Sequence, residues 1–175
     1  MPPLDLTVWT VGHSTHSLAE LLDLLRAYRI ELVADVRRFP GSRKHPQYQQ
    51  PALESALHAV GIDYVWLPAL GGRRRAPENG VETAWRHPAF AAYAEYLKGE
   101  EFAEGLVELI TPAHELRTVI MCAEALWWRC HRRMIADVLV SLGADVVHIL
   151  SDRTASNHVL TPPARLLDGV LSYRP

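Results

Sequence analysis

The sequence predicts an α/β domain built on an open, mainly parallel sheet of about five strands, with helices on both faces. Three observations lead there. Short apolar, β-branched runs recur at residues 6–11, 31–36, 62–67, 117–121 and 145–150. The segments between them repeat apolar residues at helical spacing. The two kinds alternate as β-α-β-α-β-α-α-β-α-β, the order that right-handed crossovers turn into a parallel sheet covered on both sides. At 175 residues and 49% apolar content, residues 1–175 form one domain with enough material for a core.

Each element has a local reason. The first strand ends at Gly12, and Ser17 with Glu20 has the spacing of a capping box ahead of Leu18, Leu21, Leu22 and Leu25. The second run closes on Arg37, Arg38, Phe39, Pro40 and Gly41. Pro51 opens a helix with Leu53, Ala56, Leu57 and Val60 on one face and Gly61 as its stop. The polar stretch carrying Gly71, Gly72 and Arg73 to Arg75 reads as a lid or pocket wall. Pro88 opens a helix with Phe90, Tyr93, Ala94 and Leu97 inward, and residues 102–110 make another. Met134, Ile135, Val138, Leu139 and Leu142 form the stripe of the last helix, which Gly143 stops. The tail after Ser151 reads as loop.

Charge and composition exclude some functions. A formal charge of −2 leaves no broad basic face for sequence-independent nucleic-acid binding. No apolar run approaches the length of a membrane span, and no leader pattern opens the chain. With only two cysteines, the expectation is a cytoplasmic protein with free thiols.

In open parallel sheets, ligands bind outside the carboxyl ends of the strands. That rule gathers three groups on one rim. In Gly12-His13-Ser14 the glycine permits a tight turn and the following helix offers free N–H groups to an anion, although the pattern is neither of the standard nucleotide loops. Asp35 ends an apolar strand, where a carboxylate needs a partner; with Arg37 it is either a general base beside an anion clamp or a structural ion pair. Ser42, Arg43 and Lys44 follow shortly after.

The third group is Cys122-Ala123-Glu124 followed by Arg129-Cys130-His131-Arg132-Arg133. A thiol between a strand and a helix N-terminus, near several cations, is a candidate nucleophile or simply strand-end packing. Six residues separate Cys122 from Arg129, one more than the protein-tyrosine-phosphatase type of loop has. Cys122, Cys130 and His131, with His13 or His148, have metal-ligand chemistry but not the spacing of a zinc knuckle, so no metal is assigned. Glu124 and His131 are a candidate acid–base pair, with Arg132 holding an anionic substrate. Trp127, Trp128, Trp85 and Trp66 are packing residues first and stacking faces second.

Together, Gly12-His13-Ser14, Asp35-Val36-Arg37 with Pro40 and Ser42, Leu70-Gly71-Gly72, Phe90 with Tyr93-Ala94, Met121-Cys122-Ala123-Glu124, Cys130-His131-Arg132 and His148-Ile149 resemble one family. It is the bacterial and archaeal family known as domain of unknown function four-eight-eight, and the resemblance runs from about residue 8 to residue 150. It implies that these positions belong together, not what they do. Ala125-Leu126-Trp127-Trp128 departs from the acidic or proline-containing stretch expected there.

The leading expectation is therefore a hydrolase or transferase acting on a small phosphorylated or anionic, nucleotide-like substrate. Glu124, His131, Asp35 and Cys122 are its candidate catalytic residues; His13, Ser14, Arg37, Gly71, Gly72, Cys130 and Arg132 are its candidate binding residues. The alternatives are a non-catalytic module binding nucleic acid or nucleotide through Arg73 to Arg75, and a thiol or metal redox sensor using Cys122 and Cys130. The sequence specifies no cofactor and no oligomeric state.

Overall fold

The computed structural model describes residues 4–41, 43–78, 80 and 82–175; Ser42 lies outside them. The expected alternation is present. Strands β1 (Thr7–Gly12), β2 (Leu32–Asp35), β3 (Asp63–Trp66), β4 (Thr118–Cys122) and β5 (Asp145–Ile149) run parallel, in the order β3-β2-β4-β1-β5. Helices α1 (Leu18–Ala27), α2 (Gln50–His58), α3 (Pro88–Tyr96), α4 (Glu100–Ala113) and α5 (Arg132–Ser141) connect them. Ser17 and Glu20 close the capping box of α1, with Glu20 N–H donating to the Ser17 hydroxyl at 3.2 Å and Ser17 N–H to the Glu20 carboxylate at 2.6 Å.

Two apolar layers sandwich the sheet. Leu21, Leu24 and Leu25 of α1 and Leu53 and Leu57 of α2 pack on Val11, Val33, Val119 and Met121. On the other face, Tyr93, Phe102, Leu109, Met134, Ile135 and Leu139 from α3 to α5 cover Val8, Ala34, Ile120 and Val146. Right-handed crossovers explain the division: the chain moves toward β3 with helices on one face and returns toward β5 with helices on the other. The reversal falls between β1 and β4, which are neighbours whose following helices lie on opposite sides. Such a switch point opens a crevice at the strand carboxyl ends.

The tail differs from expectation. Instead of loop, it supplies β6 (Ala155–Asn157), an antiparallel edge that makes the sheet six-stranded, and a separate hairpin of β7 (Arg165–Leu167) and β8 (Val170–Ser172). Each is only three residues long, β6 and β7 fully exposed and β8 partly so, and none carries an apolar periodicity that a sequence reading could detect. No helix among the described residues is long and apolar enough to cross a membrane.

Candidate functional site

Parallel pairing continues past the strand ends and seals the switch-point crevice. His13 N–H donates to Cys122 O at 2.9 Å, Ser14 N–H to Ala123 O at 3.0 Å, and Val36 N–H to Met121 O at 3.0 Å. Ser14 takes a left-handed backbone at φ 45° to make this turn. Gly12 is required by contact: a Cβ there would sit 1.9 Å from the Glu124 carbonyl oxygen. That carbonyl in turn receives a hydrogen bond from the Arg132 guanidinium.

Arg132 fills the crevice from the α5 side and is 1% exposed. Its Nε donates to Cys130 Sγ at 3.3 Å, Nη1 to Thr10 Oγ1 at 3.3 Å, and Nη2 to the carbonyls of Glu124 and, at 3.2 Å, Ala125. Among the described residues, no Asp or Glu forms an ion pair with it. A buried guanidinium without a counter-charge is costly by several kcal/mol.

The sulfurs supply the missing group. A short 3-10 turn, Trp127–Arg129, folds the chain back so that Cys130 Sγ lies 3.2 Å from Cys122 Sγ, with both thiols free. Cys130 Sγ also accepts from the Arg132 backbone N–H at 3.3 Å, at the start of α5. Burial pushes the Cys130 thiol up, but hydrogen bonding from Cys122, interaction with His131 and the Arg132 charge outweigh it and hold Cys130 well below the ordinary thiol range. Cys122 moves the other way: burial and the neighbouring Cys130 raise it, so it keeps its proton. These directions favour negative charge on Cys130 and the proton on Cys122, with the two sulfurs in hydrogen-bond contact.

The Asp35 and Arg37 group is a self-contained cluster. Arg37 donates to Asp35 through Nε (2.8 Å), Nη2 (2.6 Å) and its backbone N–H (3.1 Å), and Tyr64 OH donates to the same carboxylate at 2.7 Å. Arg37 Nη1 adds the Tyr48 carbonyl at 2.8 Å and faces His13 Nε2 at 3.4 Å. His13 stacks on the Tyr48 ring, 4.0 Å between centroids, and hydrogen-bonds Ser14 O at 3.0 Å. Desolvation lowers the His13 pKa to about 4, with the backbone bond to Ser14 opposing and Arg37 reinforcing the shift. Its imidazole is neutral, with Nδ1–H donating to Ser14 O and Nε2 left to accept.

The remaining expected residues are distributed around this centre. His131 Nε2–H donates to Val36 O at 3.0 Å, and its ring meets Tyr93 edge-on at 5.5 Å. Gly72 lies against that imidazole, where a Cβ would stand 3.0 Å from Nδ1, and Gly71 approaches the Arg38 backbone, where a Cβ would come within 2.8 Å. Glu124 is exposed, and its carboxylate accepts from Leu126 N–H at 3.4 Å. The expected Glu124 and His131 pair is not joined by a hydrogen bond. In the Arg73 to Arg75 run, Arg74 is anchored to the carbonyls of Pro68, Ala69 and Gly71 and to Glu101, with its guanidinium over the Tyr96 ring.

Sequence reasoning singled out His148 but missed the buried polar series it belongs to. His148 Nδ1 faces Thr10 Oγ1 at 2.7 Å, His148 Nε2 faces His158 Nδ1 at 2.9 Å, and His158 Nε2 faces Asp137 at 2.7 Å. Tyr173 OH closes the series on Asp137 at 2.6 Å. Trp127 lies flat on His148, 4.0 Å between centroids and 5° between planes, which makes it packing rather than an open stacking face. The available signal was Asp137 itself, a carboxylate in the apolar phase of α5 between Met134, Ile135 and Leu139. Among the described residues, no group of three or more His, Cys, Asp and Glu is arranged to hold a metal ion.

No curated protein and no solved structure matches the chain. The sequence pattern of one family matches residues 17–139, a span that takes in Asp35, Arg37, Gly71, Gly72, Cys122, Glu124, Cys130, His131 and Arg132. The chain belongs to that family, the domain of unknown function DUF488.

Proposed function

We propose that the rim is a thiol redox site, with Cys130 as attacking thiolate and Cys122 as resolving thiol. The observation that carries this reading is the buried Arg132 guanidinium, which among the described residues contacts a sulfur and no carboxylate. A thiolate satisfies that charge; a neutral thiol does not. The sulfurs are 3.2 Å apart, against about 2.05 Å in a disulfide, so bonding needs a shift of only about 1 Å.

The electrophile is a low-molecular-weight disulfide. The Cys130 thiolate attacks one of its sulfurs, forms a mixed disulfide and expels a thiolate, which takes a proton from water. Cys122 then loses its proton and attacks Cys130 Sγ, forming the Cys122–Cys130 bond and expelling the second thiol. Two electrons pass from the protein to the small disulfide, and excess small thiol reverses the sequence. Such reversibility suits a reducing compartment, in keeping with the expected cytoplasmic setting.

The test is equilibration of reduced protein in glutathione buffers of graded oxidation, read by intact mass and thiol count. Both thiols disappearing together, a mixed disulfide trapped on Cys130 in Cys122→Ser, and no adduct in Cys130→Ser support the reading. Thiols that stay free throughout, or an adduct on Cys122 first, overturn it.

A hydrolase or transferase acting on a small anionic substrate draws on the same nucleophile, with the exposed Glu124 carboxylate next to the site in its favour. It has less support because Arg37 and Arg132 are bound by protein groups rather than facing an open pocket. Specific stabilisation by phosphate or sulfate, absent in Arg132→Ala, is its expected sign.

A further inference from the structure

The sulfur pair is one end of a longer buried series. Thr10 of β1 and His148 of β5 stand opposite each other in the sheet register. His158 follows β6, Asp137 lies on α5, and Tyr173 follows β8. Thr10, His148 and Asp137 are fully buried, and His158 is 7% exposed. The tail after Ser151 thus contributes two of the side chains that converge here, His158 and Tyr173.

The two ends give the series a direction. Arg132 can only donate, so Thr10 Oγ1 accepts from Nη1 and its hydroxyl proton is free for His148 Nδ1. Asp137, as a carboxylate, can only accept, so His158 Nε2 carries a proton and donates to it. His158 Nδ1 then accepts from His148 Nε2–H, which leaves His148 Nδ1 as the acceptor that Thr10 requires. With both imidazoles neutral, this order satisfies every link.

The surroundings protect this order. Trp127 stacks on His148 and meets His158 edge-on at 5.1 Å. The charged and titratable groups nearby are Tyr173 and Arg133 on the Asp137 side and Arg132 on the other. A series this polar in a core is expensive unless every member is paired, and an apolar core fills the same volume at less cost. It ends on the guanidinium that contacts Cys130.

We propose that Asp137, His158, His148 and Thr10 form a directed hydrogen-bond relay that holds the Arg132 guanidinium against the Cys130 sulfur, making all four positioning residues of the thiol site. The inference rests on the thiol reading above. Cutting the relay at Thr10 frees Nη1 and lets the guanidinium turn from the sulfur; removing the Asp137 charge removes the anchor at the far end.

The experiment is the pH profile of Cys130 alkylation by iodoacetamide, read on the peptide by mass spectrometry, in wild type, Thr10→Val, Thr10→Ser and Asp137→Asn. Near-ultraviolet circular dichroism reports that each variant is folded. Thr10→Val and Asp137→Asn are expected to move the profile to higher pH and slow alkylation at neutral pH by roughly tenfold. Thr10→Ser, which keeps the hydroxyl, is expected to follow wild type. Folded Thr10→Val and Asp137→Asn proteins with the wild-type profile overturn the relay while leaving the thiol reading intact. An ordinary thiol profile in wild type overturns the thiol reading first and the relay with it.

Discussion

Arg132 and Cys130 form a buried contact in which one residue presents both its backbone N–H and its guanidinium Nε to a single sulfur, each at 3.3 Å. Two donors from one residue at a helix start hold an anion in place, and the i, i+2 spacing makes the arrangement local. The remaining guanidinium nitrogens bind Thr10 and the Glu124 and Ala125 carbonyls, which ties the side chain to β1 and to the β4–α5 loop.

Replacing Arg132 therefore acts on chemistry and stability together. Arg132→Lys keeps a charge but loses the fork that spans sulfur, hydroxyl and carbonyls. It is expected to raise the pH at which Cys130 becomes reactive and to destabilise the fold by about 2 kcal/mol. Alkylation profiles and urea unfolding measure the two effects separately.

Gly12→Ala tests the close approach of the β1 and β4 loops. The added Cβ would lie 1.9 Å from Glu124 O and 2.9 Å from Ala125 Cα, both backbone atoms that no rotamer change can move. A loss of about 1–3 kcal/mol in urea unfolding is expected, with faster thiol labelling as the loop lifts.

Asp35→Asn tests the ion-pair cluster at the end of β2. Asp35 is fully buried and accepts three donors from Arg37 and one from Tyr64, so removing its charge strands a largely buried guanidinium. Breaking such a pair costs about 3–5 kcal/mol, which denaturant titration resolves. Unchanged stability contradicts a structural role for the pair.

How much of this was legible follows the physics of each element. The five parallel strands and five helices announce themselves because a buried strand must be apolar and a covering helix must repeat its apolar face. The rim was legible because strand carboxyl ends in such sheets are fixed by topology, and Gly12 to Ser14, Asp35, Arg37 and Cys122 to Arg132 lie at or just after those ends. The sulfur contact was not, since a seven-residue spacing matches no motif and the 3-10 turn that closes it leaves no periodic trace. The relay escaped because His148, though singled out, had no partner visible in the sequence, Thr10 looks unremarkable alone, and His158 and Tyr173 sit in a tail with no helical or strand period.

Acid should destabilise the protein through its neutral histidines. His13 is lowered to about 4 and His148 to about 3, chiefly by burial, while both titrate near the ordinary value of 6.5 when unfolded. The unfolded state therefore binds more protons as pH falls below about 6.5, and each group contributes up to ~1.4 kcal/mol of lost stability per pH unit until its folded pKa is reached. The stability is fully present above pH 6.5. Melting temperatures between pH 7 and pH 4 are expected to fall progressively, and His13→Gln is expected to flatten the slope.

The most direct test of the thiol site is the ionisation of Cys130 itself, followed in Cys122→Ser so that only one sulfur reports. Thiolate absorbance and iodoacetamide alkylation are measured together from acid to alkaline pH. A Cys130 thiolate already present at neutral pH, and lost in Arg132→Met, is the expected result. A sulfur that ionises only in the ordinary thiol range, near pH 8.5, and does so alike with and without Arg132, contradicts it.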